Sequence, residues 1–264
     1  MIGQVILINW FCLTLLWALS VRIKDSSIVD IYWVFGFVVM AWSCLFLSQL
    51  IGDQISINQW YMCGLVSIWG LRLTYFLAQR NIGKGEDYRY VKMRETSKKD
   101  WRFVSYFRVF MFQGLLQLII ATPIFIVFSN QDYFESRLFT IIALVVFFIG
   151  FFIESLSDQQ LKEFRSDPAN ADKIINIGLW RYSRHPNYFG DFVQWLGIFI
   201  LSLNTGLLWG ILAPAMMLFI FLKLTIRLLE SAQLKKRPEY KDYVESPNKF
   251  FRSLWKSRLD FLVF

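Results

Sequence analysis

The sequence predicts an all-α polytopic membrane protein with about seven transmembrane helices, its N-terminus outside and its C-terminus cytoplasmic. Three observations lead there. Of 264 residues, 56% are hydrophobic and 19% aromatic, and the mean hydropathy is +0.42, whereas a soluble domain stays nearer ~45–50% apolar. Seven apolar runs approach the ~20 residues that a helix needs to cross a bilayer. The cations fall on alternate connections between those runs.

The runs lie at 2–21, 28–51, 59–79, 104–128, 136–156, 188–204 and 206–226. The first opens MIGQVILINW, with no basic segment ahead of it, so it reads as a retained span rather than a removed signal. The second opens on Asp30-Ile-Tyr-Trp33, where Asp30 suits either a helix N-cap or a ligand or proton-handling role. The third encloses Arg72 and runs into Arg80-Asn81; an ionisable group inside a span needs a partner or a wet cavity. Pro123 is expected to kink the end of the fourth. If the fifth continues as helix, Glu154, Asp158, Lys162 and Arg165 share one face. The sixth is short and carries Asp191 and Gln194, and the seventh leads into Arg227-Leu-Leu-Glu230. Gly206 and Gly210 form a single GxxxG, read as ordinary helix packing with a dimer face as the alternative.

Orientation follows from charge. Of 28 Lys and Arg, 26 follow runs one, three, five and seven, Arg72 and Arg137 being the exceptions. The positive-inside rule makes that side cytoplasmic. The net charge of +8 then belongs to a face against membrane lipids, and no nucleic-acid partner is expected. Cys12, Cys44 and Cys63 lie in apolar runs without CxxC spacing and read as structural thiols. With one histidine in the chain, no metal site is expected.

The densest polar block is GLWRYSRHPNYFGD, 178–191, which holds His185, the only histidine. Pro186 suits a first helical position, which puts Asn187, Tyr188 and Asp191 on the first turns of a helix. Exposed N–H groups there, with Arg181 and Arg184, suit a phosphate, and Asp191 suits a ribose hydroxyl or an amide. A loop resting on anionic headgroups is the plainer alternative. Beyond Glu230 come Lys235-Lys236-Arg237 and then Tyr240 and Tyr243. All these groups fall at predicted cytoplasmic ends, so one cytoplasmic pocket is expected, for a phosphorylated, base-containing cofactor and a lipid-soluble substrate. The soluble dinucleotide fingerprint GxGxxG is absent.

The order SDQQLKEFR, GLWRYSRHPNYFGDFVQWLG and LLES…RPEYKDY, preceded by WGLRLTYFLAQRNIGKGEDYRY, resembles the steroid 5-alpha-reductase family, most of all its bacterial branch of undefined substrate. The chain reads as a single integral membrane domain, 1–264. The family-like region covers 28–245 and is strongest over 136–245. The resemblance implies a seven-helix oxidoreductase of a bacterial inner (plasma) membrane. It would take hydride from NADPH to reduce an activated carbon–carbon double bond in a sterol-like or enoyl lipid. By motif, Asn187, Tyr188 and Asp191 match the family's Asn-Tyr-x-Gly-Glu cofactor element, with Asp in place of Glu, and Asp158 and Arg165 match its Ser-Asp…Arg element. Arg72, Arg80 and Asn81 correspond to an Arg-bearing third helix that contacts the cofactor phosphates. Glu230 and Tyr240 fall where polar cofactor contacts follow the last helix. Tyr182, Arg184 and His185 complete the expected cofactor set. Tyr188, Asp30 and Tyr32 are the candidates for the catalytic proton donor. Asp30 and Trp69 are positional candidates only for the family's steroid-binding Glu and Tyr, which leaves steroid open as substrate.

Two other readings stand beside this one. Arg184-His185-Pro186-Asn187-Tyr188-Phe189-Gly190 also fits membrane isoprenylcysteine carboxyl methyltransferases, which bind S-adenosylmethionine, although Ser231 stands where a second acid is expected beside Glu230. A membrane scaffold or lipid-binding protein is the non-enzymatic alternative. The sequence carries no signal for oligomeric state. The orientation has a direct test: fluorescent-protein and alkaline-phosphatase fusions at the C-terminus should give fluorescence and no phosphatase activity, and the opposite pattern would reverse the topology.

Overall fold

The computed structural model describes residues 1–129, 136–236 and 240, and every regular element among them is helical. α1 (Ile2–Ile23), α2 (Ile28–Leu50) and α3 (Ile57–Asn81) come first. A short α4 (Tyr88–Glu95) follows on the basic connection. α5 (Trp101–Ser105) and α6 (Phe112–Ile120) form one continuous rod through a π-helical stretch, Tyr106–Met111. α7 (Thr122–Ser129), α8 (Arg137–Ser166) and α9 (Pro186–Ser202) come next. α10 (Leu212–Phe219) and α11 (Ile226–Lys236) are again joined by a π-helical stretch, Ile220–Thr225.

Among the described residues, six helical stretches are long and apolar enough to cross a membrane: Ile2–Ile23, Ile28–Leu50, Ile57–Asn81, Trp101–Ile120, Arg137–Ser166 and Leu208–Lys235. The protein is an integral membrane protein by that measure. The run expected at 188–204 became α9, at 17 residues too short to count among them. The run expected at 104–128 is broken at Ala121, two residues before Pro123, since proline disfavours helix in the residues just before it. The run ending at 156 continues as helix to Ser166. Tyr243 and the basic residues from Arg237 onward lie outside the described residues.

Local signals explain several boundaries. Ser56 and Gln59 form a reciprocal capping box at the start of α3. The carboxylates of Asp87 and Asp100 accept from Arg89 N and Arg102 N to start α4 and α5. α1 stops at Lys24, which turns left-handed (φ 58°).

The chain divides into two units, residues 1–141 with 198–213, and residues 142–197 with those from 214 onward. In the first, Phe37 meets Trp69 edge-on at 5.6 Å, and Met40, Met62 and Ile124 are fully buried. This unit also buries a polar chain: Tyr32 donates to Asn9 Oδ1, Asn9 donates to Gln117 Oε1, and Gln117 donates to the Trp33 carbonyl. In a membrane such groups must find partners within the protein.

The second unit is organised by glycine. On Gly190 of α9, a Cβ would lie 2.5 Å from Glu154 N, and on Gly150 of α8 it would lie 2.6 Å from Gln194 N. On Gly197 it would lie 2.7 Å from Phe147 N. α8 and α9 therefore touch backbone to backbone along this seam, as small residues allow in membranes. Gly190→Ala should lower the melting temperature of the detergent-purified protein, overpacking costing about 1–3 kcal/mol. Gly64→Ala, where a Cβ meets nothing within 4 Å, should leave it unchanged or slightly higher; equal effects would refute the seam.

Candidate functional site

The seam places polar side chains of α8 against the start of α9. Glu154 and Asp158 lie one turn apart on α8 and are buried, at 3% and 4% exposure, while Lys162 and Arg165 continue along the helix to an exposed end. Gln194 Nε2 donates to Glu154 Oε2 at 2.7 Å, and Asn187 Nδ2 donates to Asp158 Oδ1 at 3.3 Å. The amide oxygens of both, Gln194 Oε1 and Asn187 Oδ1, are buried and accept no hydrogen bond. An unsatisfied buried acceptor is expensive, so each is suited to a donor from outside the chain.

The block 178–191 is pinned to the same stretch of α8. Leu179 N donates to Gln160 Oε1 at 3.0 Å, and Trp180 Nε1 donates to the Ser157 carbonyl at 3.0 Å. Gly178 is left-handed (φ 54°) and lies so close to the Gln160 side chain that a Cβ would collide with it. The chain then dips, burying Ser183, Arg184 and His185, before Pro186 opens α9 at its first position.

Arg184 and His185 meet Glu230 of α11. Arg184 Nε lies 2.9 Å and His185 Nε2 3.3 Å from Glu230 Oε1. The Arg184 contact is an ion pair by distance, although its angle falls outside hydrogen-bond geometry. Tyr240 is buried near this pair. Burial pushes its phenol up to about 12, with Glu230 adding to the push and Arg184 opposing it. On the other side, His185 stacks on Tyr188 at 5.7 Å, and Tyr188 stacks on Phe221 at 4.8 Å. Phe221 belongs to the π-helical stretch, a form of local backbone irregularity frequent at functional sites.

The second unit thus brings together Asp158, Arg184, His185, Asn187, Tyr188, Asp191, Glu230 and Tyr240, with Asp191 buried on the first turns of α9. Arg165 and Tyr182 belong to the same unit but are exposed. Arg184, expected to present its charge to a phosphate, has Glu230 Oε1 2.9 Å from its Nε. Arg72, Arg80, Asn81 and Asp30 belong to the first unit. There Arg80 donates to Asn81 Oδ1 and lies over the Phe76 ring. Asp30 is not the cap of α2, which is Ser27. Its carboxylate takes Arg89 Nη2 at 2.7 Å and the Tyr90 hydroxyl at 2.7 Å, tying α4 to the start of α2. Next to it, the Asp87 carboxyl, although desolvated by burial, is held below its ordinary value by Arg89. Among the described residues, no group of three or more His, Cys, Asp or Glu side chains could hold a metal ion.

A family model described as a protein of unknown function (DUF1295) matches residues 16–247. The chain belongs to the DUF1295 family. It is also similar to an uncharacterized protein of Schizosaccharomyces pombe, 29% identical over 281 residues that cover 97% of this chain and 80% of the relative. No solved structure matches it at a significant level. The α8–α9 site lies within the part of this DUF1295 chain that the family model covers.

Sequence reasoning left Glu154, Gln194, Gln160 and Phe221 out of the candidate site. The signal that could have found the first two is the glycine pattern: Gly150 is four residues before Glu154, and Gly190 four before Gln194. Glu230→Gln should be strongly destabilising, because it leaves Arg184 buried without its counter-charge, a loss of about 3–5 kcal/mol. Thermal melting checks this against Glu163→Gln on the exposed end of α8, which should be silent.

Proposed function

We propose that this protein is an NADPH-dependent membrane reductase of an activated carbon–carbon double bond in a lipid-like, sterol- or enoyl-type substrate. The observation that carries the reading is the Asp158–Asn187 pair, held by the glycine seam. It joins the two motif elements whose resemblance implies a nicotinamide cofactor. The DUF1295 family is related to steroid 5-alpha-reductase-like proteins, which supports the same reading.

The residues suit a cofactor of that type. Asp158, Asp191 and the buried amide oxygens of Asn187 and Gln194 are fitted to hydroxyl and amide donors of a ribose and a carboxamide. Lys162, Arg165 and Arg181, all exposed, are fitted to phosphates at the rim. When bound, the cofactor would supply the hydride. Reduction also requires a proton on the second carbon. Tyr188, held face to face between His185 and Phe221, is the donor we assign. The substrate being a lipid, we place the reaction in a plasma membrane.

One observation favours a second reading. Buried carboxylates, Glu154, Asp158 and Asp191, outnumber buried cations in the site, and an acid-rich site also suits the cationic S-adenosylmethionine of a methyltransferase.

Thermal stabilisation separates the two, since a ligand that binds only the folded state raises the melting temperature by mass action. NADPH should raise it, and Asn187→Ala with Asp191→Ala should abolish the rise. A rise with S-adenosylmethionine alone would overturn the reductase. Lipid extracts incubated with protein and NADPH should show one species gaining two hydrogens by mass spectrometry.

A further inference from the structure

The first unit holds another concentration of polar chemistry, built from different residues. A cleft of about 240 Å³ opens beside the end of α1, the turn after it, α4 and α5. Its walls carry three cations, Lys24, Arg94 and Arg102, together with Ser20, Ser26 and Trp101. Trp17 Nε1 donates to the Arg102 carbonyl at 2.9 Å, which ties α1 to α5 at this point.

Two of the three cations are paired: Arg94 with Glu86 at 2.8 Å and Arg102 with Asp100 at 2.7 Å. Arg94 Nε is buried and makes no hydrogen bond, and the guanidinium lies over the Trp101 ring at 5.8 Å. Ser26 Oγ accepts from Trp101 Nε1 at 3.1 Å, which leaves its own proton for an acceptor in the cleft.

The position of the cleft narrows the ligand. α1 ends one residue before Lys24, and the stretch Trp101–Ile120 begins another apolar crossing. Both walls are therefore span ends, the level at which tryptophan and lysine meet lipid headgroups. Leu19, Ile23 and Phe103 lie exposed on the same two helices. We propose that this cleft binds the phosphate of an anionic phospholipid, whose acyl chains lie against that apolar surface. A soluble phosphate would use the cations and the hydroxyl but not the exposed apolar surface.

The test uses the full chain in nanodiscs of phosphatidylcholine, with and without phosphatidylglycerol, read by melting temperature and by lipid retained in native mass spectrometry. Phosphatidylglycerol should stabilise the protein and be retained. Lys24→Gln with Arg102→Gln should weaken its retention about thirtyfold, from about 1 kcal/mol per basic residue at an anionic surface, with the melting temperature in phosphatidylcholine unchanged. Arg94 is kept because Glu86 depends on it. Lys24→Glu alone, at an exposed position, gives the same readout should the double variant fail to fold. Three results would each overturn the proposal: undiminished retention in these variants, an equal loss in Lys98→Gln with Lys99→Gln, or equal stabilisation by inorganic phosphate in phosphatidylcholine discs.

Discussion

The second unit depends on one close contact, the backbone approach of α8 to α9 through Gly150, Gly190 and Gly197. Between helices in a membrane there is little hydrophobic force, because lipid is as apolar as the side chains it would replace. Contact must come from packing and from hydrogen bonds. The glycines supply the first and thereby the second. With side chains at those positions, Gln194 could not reach Glu154, nor Asn187 reach Asp158. The seam thus serves stability and function together, since it sets the spacing of the groups that give the site its chemistry.

Charge is the second constraint. Arg184, His185, Glu154, Asp158 and Asp191 are each at least nine-tenths buried. Ionised groups at that depth are tolerated when they answer one another. Glu230 answers Arg184 and His185 from a helix 45 positions further along the sequence. The same economy appears in the first unit, where Asp30 is met by Arg89 and Tyr90. In both places a short amphipathic segment is bound to a span by an acid on one and a cation on the other.

Much of this was legible in the sequence, and the gaps have physical causes. Apolar run length and the alternation of cations depend only on local composition, so the helical, membrane-spanning class followed. Pro186 announced a helix start because proline is well suited to a first helical position, and the shared face of Glu154, Asp158, Lys162 and Arg165 was conditional on a continuation that α8 makes. The partners of those charges were not legible. Pairing of Arg184 with Glu230 is a fact of folding, invisible to spacing. The capping box at Ser56 and Gln59 is local, but apolar run length alone starts this span at residue 59. The glycine seam joins residues on two helices, so it has no spacing signature within one segment, unlike Gly206 and Gly210.

The length of α9 has a consequence of its own. At 17 residues it covers about 25 Å along its axis, at 1.5 Å per residue, against a hydrocarbon layer of about 30 Å. Taken alone, α9 falls short of that layer by about three residues of helix.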